Sequence, residues 1–300
     1  MELTALGLLV LGVLLAEPVS RAMARAEWPS RDPVGALLLW QAIGLAGGIS
    51  LVGAGLAFGL APLGTSVPAA GAAAVSALAD GRFPELGVVH LLAFVVALVM
   101  LARLLTVLIT TTLRTLRTRR RHRDLLDVLA TPWPAAPGTR VLDHPIPVAY
   151  CLPGRGSRLV VSAGVLDRLD TAGVRAVLAH ERAHLTERHD LVVLPFVAWG
   201  ATAPFVHGMV CAQLAVARLI EMRADDVGRG RCDGAELVRA LKTVGGSAPA
   251  AALSSFTDAL DARIARITAP PSPPSPTARV LVRACSVLLI VVPLVALLLP

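Results

Sequence analysis

Four stretches of this chain are too long and too apolar for the rest of it to cover: Leu3 to about Val19, a run within Val34–Leu60, a run within Leu86–Leu113, and Val280–Leu299. A helix crosses the hydrocarbon of a bilayer with about 20 apolar residues. Backbone in lipid must satisfy its own hydrogen bonds, which leaves only helices and closed barrels as spanning elements. Composition agrees, since 55% of the 300 residues are hydrophobic and only 16% charged, against about a quarter in ordinary soluble domains. The expected fold is therefore a mainly α membrane protein with four transmembrane helices. Cys151, Cys211, Cys232 and Cys285 follow no CxxC spacing and read as small buried residues, neither a disulfide framework nor a zinc knuckle.

Arginine placement orients the spans. Ala22-Met23-Ala24 resembles a signal-peptide cleavage site, but the N-terminal region carries Glu2 and no arginine, while Arg21, Arg25 and Arg31 follow the apolar run. An uncleaved span with its N-terminus outside is expected. The loop after the second run holds only Arg82, beside Asp80 and Glu85; Arg114, Arg117, Arg119, Arg120, Arg121 and Arg123 follow the third, and Arg279 and Arg283 border the fourth. Basic loops stay cytoplasmic. The consistent solution is a multi-pass plasma-membrane protein with loop 20–33 inside, loop 61–85 outside, segment 114–279 inside and the last residues outside. The net charge of +7 is almost all arginine, Lys242 being the one lysine. The basic run 114–123 abuts a span and has no interleaved aromatics. It reads as a contact with anionic headgroups, making membrane lipids a partner, and not as a nucleic-acid surface.

The chain thus divides into a three-span region (1–113), a cytoplasmic α+β domain (114–267), a proline-rich extended linker (268–279) and a C-terminal span (280–300). Within the domain, Pro147–Leu152 and Arg158–Ser162 read as strands around a PGRGS turn. Asp170 or Thr171 caps a helix running to about Arg188. On that helix His180, Glu181 and His184 form HExxH. Four residues are about one turn, so both imidazoles share a face and can bind one Zn²⁺ per chain, with Glu181 placed as general base toward the water such an ion activates. A catalytic site of this kind needs a third protein ligand. Downstream, Glu221 can supply it, and Asp225, one turn on, can hold a ligating imidazole in its tautomer. His189 lies nine residues after His180, about half a rotation away on a straight helix, and is expected to be a cap or an exposed histidine.

Between the half-sites runs a further apolar stretch, 191–219. A single crossing there would separate His184 from Glu221 by about 30 Å. Pro195 and Pro204 also break the run. A bent apolar hairpin returning to the same side is expected.

The order of three spans, VVSAGVLDRLDTAGVRAVLAHERAHLTERHD, EMRADD and a final span resembles the M56 peptidases, the membrane metallopeptidase part of β-lactam sensor-transducers. The resemblance implies a gluzincin-type zinc domain with His180, His184 and Glu221 as ligands and Glu181 as acid/base. It also implies a substrate strand docking on an edge strand, here Leu159, Val160 and Val161, and a cytoplasmic protein substrate such as a transcriptional repressor. The sensor-transducers carry an extracellular penicillin-binding domain after the last span; this sequence ends at Pro300, so β-lactam sensing by its own domain is not expected. The neighbouring M48 family (HtpX- and CAAX-type peptidases) shares HExxH and ExxxD, but three spans before the motif and one after favour M56.

The leading reading is a membrane zinc endopeptidase acting on a cytoplasmic or membrane-proximal protein. His207 and Tyr150 are the oxyanion candidates. A quality-control peptidase of the M48 kind, or a non-enzymatic membrane scaffold with a structural or lost metal site, are the alternatives. The sequence gives no oligomeric state.

Overall fold

The computed structural model describes residues 1–154, 156–245 and 253–299. Four of its helices are long and apolar enough to cross a membrane: Glu2–Arg25, Pro33–Gly59, Val88–Leu129 and Pro276–Leu298.

The first comprises α1 (Glu2–Leu14), a π turn over Leu15–Val19, and α2 (Ser20–Arg25). Pro18 has no N–H to give the helical ladder, so the backbone widens by one residue there. The Ser20 hydroxyl donates to the Leu15 carbonyl at 2.7 Å. Helix α3 (Pro33–Gly59) starts where Asp32 accepts the Gly35 N–H at 3.1 Å. It is the most buried of the four and packs against the first and last spans and the third. Its glycines allow this. A Cβ at Gly55 would lie 2.7 Å from the Ala97 Cβ, and one at Gly48 would lie 2.8 Å from the Trp199 ring. Small residues of this kind let helix backbones approach in a bilayer. A short apolar helix, α4 (Val67–Ala79), follows, and then α5 (Val88–Leu129).

Helix α5 has 42 residues, so it is about 63 Å long, twice a bilayer core. Its basic end is partly structural. Arg119 donates to Asp190 at 2.7 Å, His122 bonds the Tyr150 hydroxyl at 2.9 Å, and Arg123 donates to the Pro153 carbonyl at 3.3 Å. Those three therefore hold the following domain and not lipid headgroups; Arg114, Arg117, Arg120 and Arg121 stay exposed.

That domain opens with β1 (Ala130–Pro132), β2 (Thr139–Leu142), β3 (Ala149–Leu152) and β4 (Arg158–Ser162). The sheet order is β1-β2-β4-β3, with β2 and β4 parallel and the other pairs antiparallel. After the short α6 (Ala163–Arg168) come α7 (Thr171–Thr186), α8 (His189–Thr202), α9 (His207–Arg229), α10 (Gly234–Gly245) and α11 (Leu253–Thr268). Residues 269–275 then lead to α12 (Pro276–Leu298), so the proline-rich stretch becomes helical from Pro276. One core joins Leu159, Val161, Val165, Val174, Val177 and Leu237 beneath α7.

The apolar stretch after the HExxH helix forms α8 and the first half of α9, joined by a turn at 203–206. Pro204 lies in the turn, whereas Pro195 is accommodated inside α8. The turn reaches the middle of the span bundle, where Ala16, Gly47, Val96, Val99 and Val206 line one cavity. There Glu17, ion-paired with Arg21, accepts the Gly208 N–H at 2.7 Å, placing a carboxylate on the N-terminus of α9, where it offsets the helix dipole.

A hairpin predicts a clear labelling pattern. In a cysteine-free background in sealed vesicles, Arg188→Cys and Arg231→Cys will react with an impermeant maleimide from the same side. Phe205→Cys, at the exposed tip, will react from neither. Labelling of 188 and 231 from opposite sides would show a crossing.

Candidate metal centre

Helix α7 is fixed at its start by Asp170, whose carboxylate accepts the Gly173 N–H at 2.8 Å. Its apolar face, with Val174, Val177 and Leu178, sits on the core. This turns His180 inward, to 5% exposure, with Glu181 and His184 half-buried beside it. Helix α9 packs against α7 and brings in Glu221 and Asp225.

His180 Nε2 lies 3.2 Å from His184 Nε2 and 3.5 Å from Glu221 Oε2, and His184 Nε2 lies 3.6 Å from Glu221 Oε1. Two ligands on a tetrahedral zinc ion, each bonded at about 2.0–2.1 Å, are about 3.3–3.4 Å apart. The two imidazole nitrogens and the Glu221 carboxylate are thus separated by about the edge lengths of such a tetrahedron, and two imidazoles with one carboxylate suit zinc.

The electrostatics favour a cation at this point. Burial alone would raise the Glu221 carboxyl, but His180 and Arg263 outweigh it and hold it down at about 2. Burial and the neighbouring His180 and His189 lower His184 to about 4, so its imidazole is neutral and free to ligate. Burial opposes charge on His180, but Asp225 and Glu221 hold its pKa above the ordinary value. A proton there occupies a place that a metal cation can take. Burial pushes Glu181 up to about 7, against the pull of His180. This suits a group that must take and return a proton near neutral pH.

Around the donors lies a set of supports. His180 Nδ1 stands 3.0 Å from Asp225 Oδ1, a close polar contact off the line of an ideal hydrogen bond. Arg263 of α11 grips Asp225 in two bonds, at 2.7 and 2.8 Å, and its Nη1 lies 3.0 Å from Glu221 Oε2. The adjacent Asp226 takes Arg266 in the same manner, at 2.5 and 2.9 Å. His184 Nδ1 meets His189 Nδ1 at 2.9 Å, His189 Nε2 lies 3.3 Å from Glu187, and Glu187 receives Arg223 of α9. The Cys151 thiol of β3 hydrogen-bonds Glu181, and burial and that carboxylate push it up to about 12.

Several expected roles need correction. His189 is neither exposed nor a cap: it is 4% exposed and faces His184. The helix stops at Thr186, and Arg188 takes a left-handed conformation, φ 52°, so the half-rotation argument for a straight helix does not apply. His207 opens α9, 14 residues before Glu221, hence about 21 Å along the helix and remote from the ligands. Tyr150 points to the other face of the sheet, toward Leu126 and His122. Leu159, Val160 and Val161 lie in β4, an interior strand bonded by β2 and β3, with exposures of 4%, 1% and 0%. The edges belong to β1 and β3, and β3 is the one beside α7. Arg263, Glu187, Arg223 and Cys151 carry no motif; the one sequence signal is the match of Arg263 and Arg266 to Asp225 and Asp226.

Residues 112–255 match the model of peptidase family M48. The matched stretch takes in the C-terminal end of α5, the sheet, HExxH and the Glu221–Asp225 turn. It is similar to a membrane-type zinc metallopeptidase family, and the match is not to M56. Span order favoured M56, but it reflects insertion and not chemistry, whereas the match lies on the domain that holds the site. No curated protein and no solved structure matches the chain.

His189→Ala removes the group that orients His184. Zinc affinity, measured by chelator competition, is expected to fall about 10–100-fold, with helical content unchanged. Arg263→Ala leaves Asp225, 1% exposed, without its counter-ion. It will destabilise the domain by about 3–5 kcal/mol, read as a lowered Tm.

Proposed function

We propose that this chain is an integral membrane zinc endopeptidase of the M48 kind, with its metal centre on the cytoplasmic side and membrane-proximal polypeptides as substrates. The observation that carries this reading is the approach of His180, His184 and Glu221, from two helices joined through an apolar hairpin, to the spacing of a tetrahedral zinc site. Quality-control proteolysis fits the family match better than cleavage of a dedicated repressor in a signalling pathway.

Zinc held by those three residues would activate water and polarise the scissile carbonyl. Glu181 takes the proton of the attacking water as its oxygen bonds the carbonyl carbon. It then delivers that proton to the leaving amine as the C–N bond breaks. Asp225, itself held by Arg263, keeps His180 Nε2 turned to the metal position, and His189 does the same for His184. The substrate backbone can add to the free edge of β3, beside the Cys151 face that reaches Glu181, by strand addition. A cleft of about 160 Å³ beside Glu181 and Glu221, walled by Leu237, Leu241, Val244 and Leu260, suits an apolar side chain.

Glu181→Gln separates this reading from a scaffold with a structural metal. Bound zinc, by elemental analysis, should stay near one per chain, while cleavage of an unfolded membrane-protein substrate in proteoliposomes drops by about 10²–10⁴-fold. Unchanged turnover, or a wild-type chain that neither carries nor rebinds zinc, would refute the assignment. Proteins that accumulate in cells expressing the variant will distinguish one dedicated substrate from many damaged ones.

A further inference from the structure

A second site lies nearer the start of α9, on a face adjoining that of Glu221. A cavity of about 610 Å³ opens between the end of the first span, the turn before α3, and α9. Its walls are of two kinds. Met23, Trp40, Cys211, Leu214 and Ala215 form an apolar part reaching toward the span bundle; Arg25, Arg31 and Arg218 stand with it at the mouth. The three arginines come from three separate elements and are exposed. Among the described residues none of them has an ion-pair partner, in contrast to Arg21, Arg119, Arg223, Arg263 and Arg266, which all do. Glu27, also on the rim, is paired with none of them. The mouth is held in shape from the metal domain, because Arg266 donates to the Ser30 carbonyl at 2.8 Å. The indole N–H of Trp40, fully buried in the cavity wall, has no partner.

We infer that this cavity binds one anionic phospholipid of the cytoplasmic leaflet, its phosphate among Arg25, Arg31 and Arg218 and an acyl chain along Met23, Trp40 and Leu214. The inference rests on the membrane orientation proposed above. Charge and shape point the same way. Three uncompensated guanidiniums select an anion, and an apolar wall continuous with the span bundle selects one that carries a hydrocarbon tail. A free phosphate would satisfy only the rim.

The test uses the full chain, reconstituted in phosphatidylcholine vesicles with a minority of phosphatidylglycerol, then solubilised and examined for co-purifying lipid by native mass spectrometry. The wild-type chain should retain phosphatidylglycerol in preference to phosphatidylcholine. The triple variant Arg25→Gln/Arg31→Gln/Arg218→Gln should lose that preference by more than about tenfold, with zinc content unchanged. Arg117→Gln/Arg120→Gln/Arg121→Gln, which removes equal charge from exposed positions on α5, should keep it. Equal loss in both variants would reduce the effect to diffuse charge and overturn the site. Displacement of the lipid by millimolar inorganic phosphate would overturn the lipid assignment in favour of a free anion. If instead the orientation fails, the labelling of Arg188→Cys and Arg231→Cys reports it, whatever lipid is retained.

Discussion

The contact between α7 and α9 is the constraint on which the other features depend. The two imidazoles arrive together on one helical turn, but the carboxylate arrives only after the chain has run through an apolar stretch long enough to invite a crossing. Glu221 stands within 3.6 Å of both rings, so that stretch has to fold back. Its two halves then have to find partners for apolar surface within the span bundle. Phe196, Ala212 and Val216 do so against Trp40, Ile43 and Ala46 of α3. The bundle and the metal domain thus share a helix and are not two bodies on a tether.

Helix α9 is held electrostatically at both ends of this arrangement. Glu17 meets its N-terminus within the bundle, while Asp225 and Asp226 meet Arg263 and Arg266 in the domain. Buried ion pairs give little net stability, since the desolvation of two charges roughly cancels their attraction. Breaking one leaves an uncompensated charge and is costly. The effect is to fix the position of α9, and with it Glu221, more than to strengthen the fold. The hydrogen-bonded row from His184 through His189 and Glu187 to Arg223 acts likewise, because it returns to α9 two residues past the ligand.

What could be read from the sequence follows from the range of each signal. The four long apolar helices, the Asp170 cap, the strands at Ala149–Leu152 and Arg158–Ser162, and the face shared by His180 and His184 all come from local periodicity and capping, which act within one element. The spacing of Glu221 and Asp225 could be read for the same reason. β1 and β2 were not legible: they have three and four residues and exist through pairing with distant partners. The edge position of β3 was equally hidden, because strand order is a tertiary property, and the edge strand that the family resemblance implied fell on β4, the strand that is most buried. His189 was misplaced because a helix end two residues early reversed its direction. Arg263 was missed because Asp225 lies 38 residues upstream and only the paired spacing of Arg263 and Arg266 against Asp225 and Asp226 hints at the contact.

The depth of the metal centre follows from the length of α9. Its N-terminus lies at the level of Gly47 and Val99, near the middle of the second and third spans. Glu221 is 14 residues further on, about 21 Å down the axis. Half of a hydrocarbon core is about 15 Å, so a run of that length is enough to carry Glu221 past the apolar zone in which the hairpin tip is packed. Arg218, at the mouth of the arginine-lined cavity, stands one turn before Glu221 on the same helix. A helix of fixed length thus sets how far both the His180–His184–Glu221 cluster and the arginine-lined cavity lie from the hairpin tip.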